Sequence, residues 1–275
     1  MGTNAGNLTD RFAQALDALG DRHLAVVTGA GISLASGIPT FRGTDPDAVW
    51  KHDVTELGTR RYFEQDPVGS WRWYLGRFDV VFGKAPNEAH HALRTIEKWH
   101  TGRGGEFTLV TQNIDGLHEA AQSENLIKVH GSADRVRCSR NGCEFGAPSG
   151  SLERARFDIT SFVDTPSVET LPRCPACNTL LRQHVLWFDE YYDEHDSYRW
   201  RDVTRAALDA DLVLFVGTSF AVGVTDLYLR YALDISVPCF AIDPGEASAP
   251  HRDVTMIREP GEDYLPSLCA ALRMA

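Results

Sequence analysis

The apolar positions of this chain change their spacing from segment to segment, and each change marks a predicted element. Leu8, Phe12, Leu16 and Leu19 recur at helical spacing, with Thr9 or Asp10 as the cap and Gly20 as the stop. The run His23-Leu24-Ala25-Val26-Val27 is instead short, apolar and β-branched, which suits a strand covered on both faces of a parallel sheet. Runs at 107–110, 212–216 and 237–242 read the same way. All four end in polar, turn-forming motifs: TGAGIS, TQNID, GTSF and IDPGE. Such strands, with helical stretches between them, predict an α/β fold: a Rossmann-like, doubly wound parallel sheet with its ligand at the C-terminal edge.

The intervals differ in kind. Residues 46–99 look helical and aromatic, whereas 136–182 show little regular pattern and hold four cysteines. The expected division gives 1–45, 105–135 and 183–275 to the sheet domain. It gives 46–104 to a helical module with a cofactor loop, and 136–182 to a small cysteine-bearing module. There is no internal repeat and no low-complexity tract.

The turn after the first strand is the entry point to a nucleotide site. Gly29 and Gly31 let the backbone approach a pyrophosphate, whose charge would be met by amides at a helix start. A hydride-transferring domain would carry GxGxxG here, but the third glycine position is Leu34.

Composition narrows the partners. With 275 residues, 43% of them hydrophobic, the chain can bury a large core with room for a second module. A formal charge of -11 disfavours nucleic acid and suits a basic substrate such as a lysine-bearing peptide. No run of about eighteen apolar residues would cross a membrane, and the N-terminus has no basic start followed by an apolar core. Gly6 stands where a myristoylation signal needs Ser or Thr. A soluble, cytoplasmic chain without membrane partners is expected, with a monomer favoured.

Cys138 and Cys143 are separated by four residues, Cys174 and Cys177 by two, and thirty residues divide the pairs. Two close pairs in a cytosolic chain read as the four ligands of a structural Zn²⁺, with disulfides or free thiols as the alternatives. Four thiolates fill a tetrahedron, so the ion would staple a module lacking its own core, with an insertion loop at about 147–170. Cys239 and Cys269 read as small buried hydrophobes.

Taken together, GAGISLASGIPTFRG, TQNIDGLH at 111–118, VHGS at 129–132 and GTS at 217–219 resemble the sirtuin (Sir2) family of NAD-dependent protein lysine deacylases. The motifs stand in family order, and the paired cysteines fall at the family's zinc module. The resemblance implies that Gly29, Ala30, Gly31, Ile32, Gly217, Thr218 and Ser219 hold the adenine and phosphate half of NAD. It places Phe41, Arg42 and Trp50 with the mobile cofactor loop. Gln112, Asn113, Ile114 and Asp115 would hold nicotinamide and its ribose, with Asn113 also catalytic, and His130 would be the general base. Asp243, in place of a common asparagine, would accept from a ribose hydroxyl, favouring NAD over its 2′-phosphate, and Gly261 would approach the adenine.

These residue types suit the chemistry the resemblance implies. Nicotinamide departure builds positive charge on the ribose, which an acyl-lysine amide oxygen captures only where water is excluded. An imidazole then takes a proton from a ribose hydroxyl so that the acyl group passes to ADP-ribose. His90, His91 and His118 read as structural or surface residues. The rivals are an NAD glycohydrolase or ADP-ribosyltransferase using the same cleft, and a non-enzymatic binding module.

By the same resemblance, Val185, Trp187 and Phe188 would pair with a substrate peptide added as a strand, with Gly223 and Val224 on its other side. Tyr74 and Arg77 share a helix face, twelve and nine residues before Pro86-Asn87. That spacing resembles the class III sirtuins, which remove succinyl and malonyl groups, and a guanidinium forks onto a carboxylate. Three features depart from the family: TDPDAV after Gly43, Asp189 where Gly is usual, and Phe220 followed by Val224-Thr225 after GTS.

Overall fold

The computed structural model describes residues 5–40, 54–221, 223–245 and 249–274. Helix α1 (Ala5–Asp17) leads into β1 (His23–Thr28), which passes directly into a 3₁₀ helix, Ala30–Ser36. Four helices follow: α2 (Val54–Leu57), α3 (Arg60–Gln65), α4 (Pro67–Phe78) and α5 (Glu88–Thr101). Next come β2 (Glu106–Thr111), α6 (Leu117–Ala120), β3 (Leu126–Lys128), β4 (Gly131–Cys138), β5 (Leu152–Glu153), α7 (Thr160–Asp164) and β6 (Leu181–Val185). The chain closes with α8 (Trp200–Asp209), β7 (Leu212–Val216), α9 (Gly223–Asp234), β8 (Cys239–Ile242), β9 (Val254–Ile257) and α10 (Gly261–Ala271).

Six parallel strands form one sheet in the order β3-β2-β1-β7-β8-β9. The order runs outward in both directions from the β1/β7 pair, so the crevice of a doubly wound sheet lies beyond the C-terminal ends of those two strands. The predicted α/β fold is therefore present. Side chains alternate across β1: Leu24 and Val26 pack with Phe12, Leu16, Leu93 and Leu265, while Ala25 and Val27 pack with Val203, Val224 and Tyr228. Helices α1, α5 and α10 thus cover one face, and α8 and α9 the other.

Thr9 and Asp10 do not cap α1, because the helix is already formed at Ala5. Gly20 does mark the turn behind it, at φ +69°. The predicted strand 237–242 shortens to β8, with Pro238 before it supplying only its carbonyl, to Val213.

The second sheet, β5-β4-β6, is antiparallel. Its core is shared with α3 and α4 rather than its own. Phe63, Trp71, Tyr74 and Phe78 from α3 and α4 share one apolar cluster with Val136, Leu152, Phe162, Leu181 and Trp187. The expected loop at 147–170 also contributes: β5 and α7 bury Leu152 and Phe162. Strand β4 spans the division expected at 135/136, and β6 spans the one at 182/183.

Candidate active site and metal centre

Three glycines close the crevice at the β1/β7 crest. A Cβ on Gly29 would lie 2.7 Å from the Gly217 carbonyl oxygen, and one on Gly31 would lie 2.6 Å from Gly217 Cα. Gly217 itself is at φ +58°, and a Cβ there would meet the Ile32 amide at 2.3 Å. The amides of Gly29 and Gly31 donate to Val216 and Gly217. These glycines therefore let the two strand ends meet, a packing role beside the phosphate approach expected of them.

A polar ladder fills the crevice floor. Thr28 donates to Thr111 at 2.9 Å and accepts from His118 Nε2 at 3.0 Å. Gln112 Nε2 donates to the Thr28 carbonyl and to Thr218 Oγ1, tying β2 to β7. Asn113 donates to the Gly29 carbonyl at 3.1 Å and to Ser33 at 3.2 Å, and Ser33 donates to Asp115 at 3.0 Å. Burial raises the Asp115 carboxyl, opposed by the Leu117 amide and Ser33 that donate to it. Ile114 and Asp115 join the 81–84 loop and Ser132 in lining a cavity of about 160 Å³. Ser33, fully buried, belongs to the motif, yet the motif alone gives no sign that it links Asn113 to Asp115.

His130 lies between β3 and β4. Its Nδ1 is 2.8 Å from the Gln112 carbonyl and its Nε2 is 3.2 Å from the Tyr192 hydroxyl. Burial pushes the imidazole down to about 4, partly opposed by that carbonyl. Gly131, at φ +82°, turns the chain beneath it, and a Cβ there would strike the His184 carbonyl oxygen at 2.2 Å. His130 thus meets Gln112 and stands apart from the buried His90–His118 pair, whose ring centres are 4.8 Å apart.

Ala30 and Ile32 open the 3₁₀ helix, Thr218 is buried and Ser219 is exposed. Asp243 Oδ1 accepts from the Gly245 amide at 2.7 Å. Gly261 begins α10, where a Cβ would be 3.4 Å from Val216 and 3.6 Å from Ala89. Phe41, Arg42 and Trp50, with the TDPDAV segment, lie outside the described residues.

The expected groove is mixed in character. Phe188 is exposed and its amide donates to the Gly58 carbonyl, while the Leu186 amide donates to the His130 carbonyl. Trp187 is buried, with Tyr74 stacked on it at 6.3 Å and the Arg182 guanidinium over its ring. Val185 ends β6, and Val224 buries its side chain at the start of α9, leaving backbone alone for a peptide. Asp189 is turned to α3, accepting from the amides of Arg60 and Arg61 at 2.7 and 3.1 Å. Tyr74 is almost fully buried; Arg77, three residues on, rests over the Trp73 ring at 3.9 Å, and burial lowers its guanidinium.

Glu190 anchors this region, a role the sequence did not reveal. Arg60, Arg137 and Arg182 all donate to its fully buried carboxylate.

The four cysteines of the two pairs converge, with all four Sγ atoms within 4.8 Å of one another. Sγ–Sγ distances of 3.5 Å for Cys138–Cys177, 3.6 Å for Cys143–Cys174 and 3.5 Å for Cys143–Cys177 approach the roughly 3.8 Å edge of a tetrahedron with 2.3 Å Zn–S bonds. No disulfide joins them. The donor set fits a structural zinc. Cys239 and Cys269 are buried apart from it.

A family model described as the Sir2 family matches residues 29–224. An "NAD-dependent protein deacylase" of Thermus thermophilus is 41% identical over 199 residues, covering 72% of this chain and 70% of the relative. The zebrafish (Danio rerio) "NAD-dependent protein deacylase sirtuin-5, mitochondrial" is 36% identical over 234 residues, covering 79% and 72%. A solved Sir2 homologue in complex with NAD superposes with a TM-score of 0.77 at 32% identity, covering 96% of this chain and 93% of that one.

Proposed function

The chain belongs to the Sir2 family, and on that premise we propose that this NAD-dependent protein deacylase removes acidic acyl groups, succinyl and malonyl, from lysine as well as acetyl. The observation that carries the acyl reading is the placing of Arg77 on α4. Its guanidinium is partly desolvated over Trp73, one turn from Tyr74, which stacks on the Trp187 that follows β6. A guanidinium already stripped of part of its water gains more from a carboxylate than a solvated one does.

NAD supplies, when bound, a nicotinamide–ribose bond whose cleavage leaves a sugar carbon open to the amide oxygen of the acyl-lysine. This chain's residues do the rest. Gly29, Ala30, Gly31, Ile32, Gly217, Thr218 and Ser219 form the phosphate side of the crevice, and Asp243 and Gly261 extend it toward the adenosine. Ser33, Asn113 and Asp115 form a hydrogen-bonded chain suited to a carboxamide, which offers both donor and acceptor. His130 keeps Nε2 unprotonated and accepts a proton there from a hydroxyl, its low basicity ensuring that it is neutral at working pH. The peptide would lie between the 186–188 segment and the start of α9, through backbone bonds.

The test compares turnover on acetyl, malonyl and succinyl versions of one peptide for the wild type and Arg77→Met. Acidic substrates should lose about 10- to 150-fold in kcat/KM, as for a charged hydrogen bond of about 1.5 to 3 kcal/mol, with acetyl turnover nearly unchanged. Equal losses on all three would overturn the acyl assignment. His130→Ala should abolish O-acyl-ADP-ribose formation, and nicotinamide release that ignores the peptide would instead indicate NAD hydrolysis.

A further inference from the structure

The ring of His130 is held at both nitrogens. A carbonyl only accepts, so Nδ1, 2.8 Å from the Gln112 oxygen, carries the proton, and Nε2 is bare. The Tyr192 hydroxyl, 3.2 Å from Nε2, must therefore donate to it. Tyr192 belongs to the segment between β6 and α8, and its own ring is fixed. It lies on Trp200 at 4.3 Å with 13° between the planes, and at 5.8 Å and 24° from the imidazole. A Cβ on Gly223 would come within 3.9 Å of the same phenol, so the start of α9 borders it.

We infer that Tyr192 is a positioning residue for the base: its hydroxyl holds Nε2 of the neutral imidazole in the cleft and is displaced when a substrate hydroxyl arrives. The inference rests on the reading of His130 as the base. The lone pair that receives the proton lies in the ring plane, so a donor aligned there sets both tautomer and ring angle. It also keeps water from that lone pair. A phenol donates to imidazole but not to imidazolium, so it favours the uncharged base. In the transfer the substrate O–H bond breaks and an Nε2–H bond forms, while Tyr192 neither gains nor loses a proton. Burial keeps the phenol protonated, its titration pushed up to about 12. The groups facing His130 are the Gln112 carbonyl from the end of β2, the Tyr192 phenol and, at its backbone, the Leu186 amide. No charged side chain among the described residues pairs with its ring.

Tyr192→Phe keeps the ring on Trp200 and removes only the hydroxyl. The readouts are the imidazole ¹⁵N shifts of His130 across pH in the unliganded protein and the acid limb of kcat/KM. In the wild type, His130 should show a protonated Nδ1 and a low midpoint. In the variant the midpoint and the acid limb should both rise, by about 0.5 to 1 pH unit, a three- to tenfold change in proton affinity from one lost hydrogen bond. An unchanged midpoint and an unchanged acid limb would reduce Tyr192 to packing and overturn the inference. His130→Ala separates the two readings: if it is inactive while Tyr192→Phe titrates like the wild type, the Tyr192 role alone falls. If His130→Ala turns over with the wild-type acid limb, the base itself is elsewhere.

Discussion

All six residues of β1 are buried and four of them are aliphatic; all five residues of β6 are buried too, but three are Arg182, Gln183 and His184. Strand β1 lies in a sheet covered by helices on both faces, where burying apolar area at about 25 cal/mol per Å² is the main driving term. Strand β6 lies where α4, the aromatic cluster and the cysteine module meet; Glu190 meets Arg182 and Ser197 meets His184, while the Gln183 amide is buried without a hydrogen-bond partner among the described residues. Burial thus dominates in the sheet, whereas the lobe combines an apolar cluster with a carboxylate among arginines and four thiols whose arrangement fits a zinc. The two regions should differ in how they respond to insults.

Metal removal is the most severe of these insults. Stripping zinc with a chelator, or replacing Cys138 by Ser, removes a contribution on the order of 10 kcal/mol to the fold of the lobe. Metal content should fall from one ion per chain to none. Amide exchange should then lose protection in β4, β5 and β6 while β1, β2 and β7 retain theirs. Unchanged protection in β4 and β6 would mean that the aromatic cluster shared with α4 suffices without the ion.

Glu190→Gln ranks next. The change leaves Arg137 and Arg182, both buried, without their counter-charge, at a cost of about 3 to 5 kcal/mol. Burial pushes the Glu190 carboxyl up, but Arg182 and Arg137 outweigh it and hold it at about 2. Because the folded value is depressed, its stabilisation is complete above the ordinary range near 4.5 and is lost as pH falls through about 2. Denaturant melts of wild type and variant should therefore differ most at neutral pH and converge near pH 2. A constant gap would assign the loss to packing rather than charge.

The same contrast decides what could be read in advance. The strands at 23–27, 107–110 and 212–216 were legible because two-sided burial demands unbroken apolar runs. Strand β6 was not, since LRQHV carries polarity that is met only in the fold, Arg182 by Glu190 and His184 by Ser197. Leu152, Phe157 and Phe162 fall five residues apart, matching neither the strand nor the helix period, so their part in the second core was hidden. Within the site, GAGIS, QNID and VHGS marked the residues that converge at the sheet edge. Ser33 and Tyr192 gain meaning only from the distances that join them to Asp115 and His130. The pair Tyr191-Tyr192 after a buried glutamate carries no periodic signal; only the fold shows that one ring turns outward and the other onto the base.

Acid should loosen both regions through their buried histidines. His90 and His118 lie buried beside the β1/β2 end, uncharged, His90 pushed down to about 4 by burial and His118 held well below its ordinary value. An unfolded histidine takes up a proton near 6.5 while these stay neutral, so they leave stability unaffected above that pH and cost stability as pH falls from about 6.5 through 4. The Glu190 contribution survives over most of that window. The lobe carries the same liability, because burial pushes His184 of β6 down to about 2 and lowers His195 beside it, so mild acid should weaken β6 together with the sheet crest around Thr28 and Thr111. His118→Gln keeps a donor for Thr28 Oγ1 but cannot titrate, and it should flatten the decline between about pH 6.5 and 4, by about 1 to 2 kcal/mol, at some cost at neutral pH. Amide exchange at Thr28 and Thr111 across that range, in the wild type and in His118→Gln, reads the effect directly. Protection at Thr28 and Thr111 that declines between about pH 6.5 and 4 as steeply in His118→Gln as in the wild type would remove His118 from the acid response.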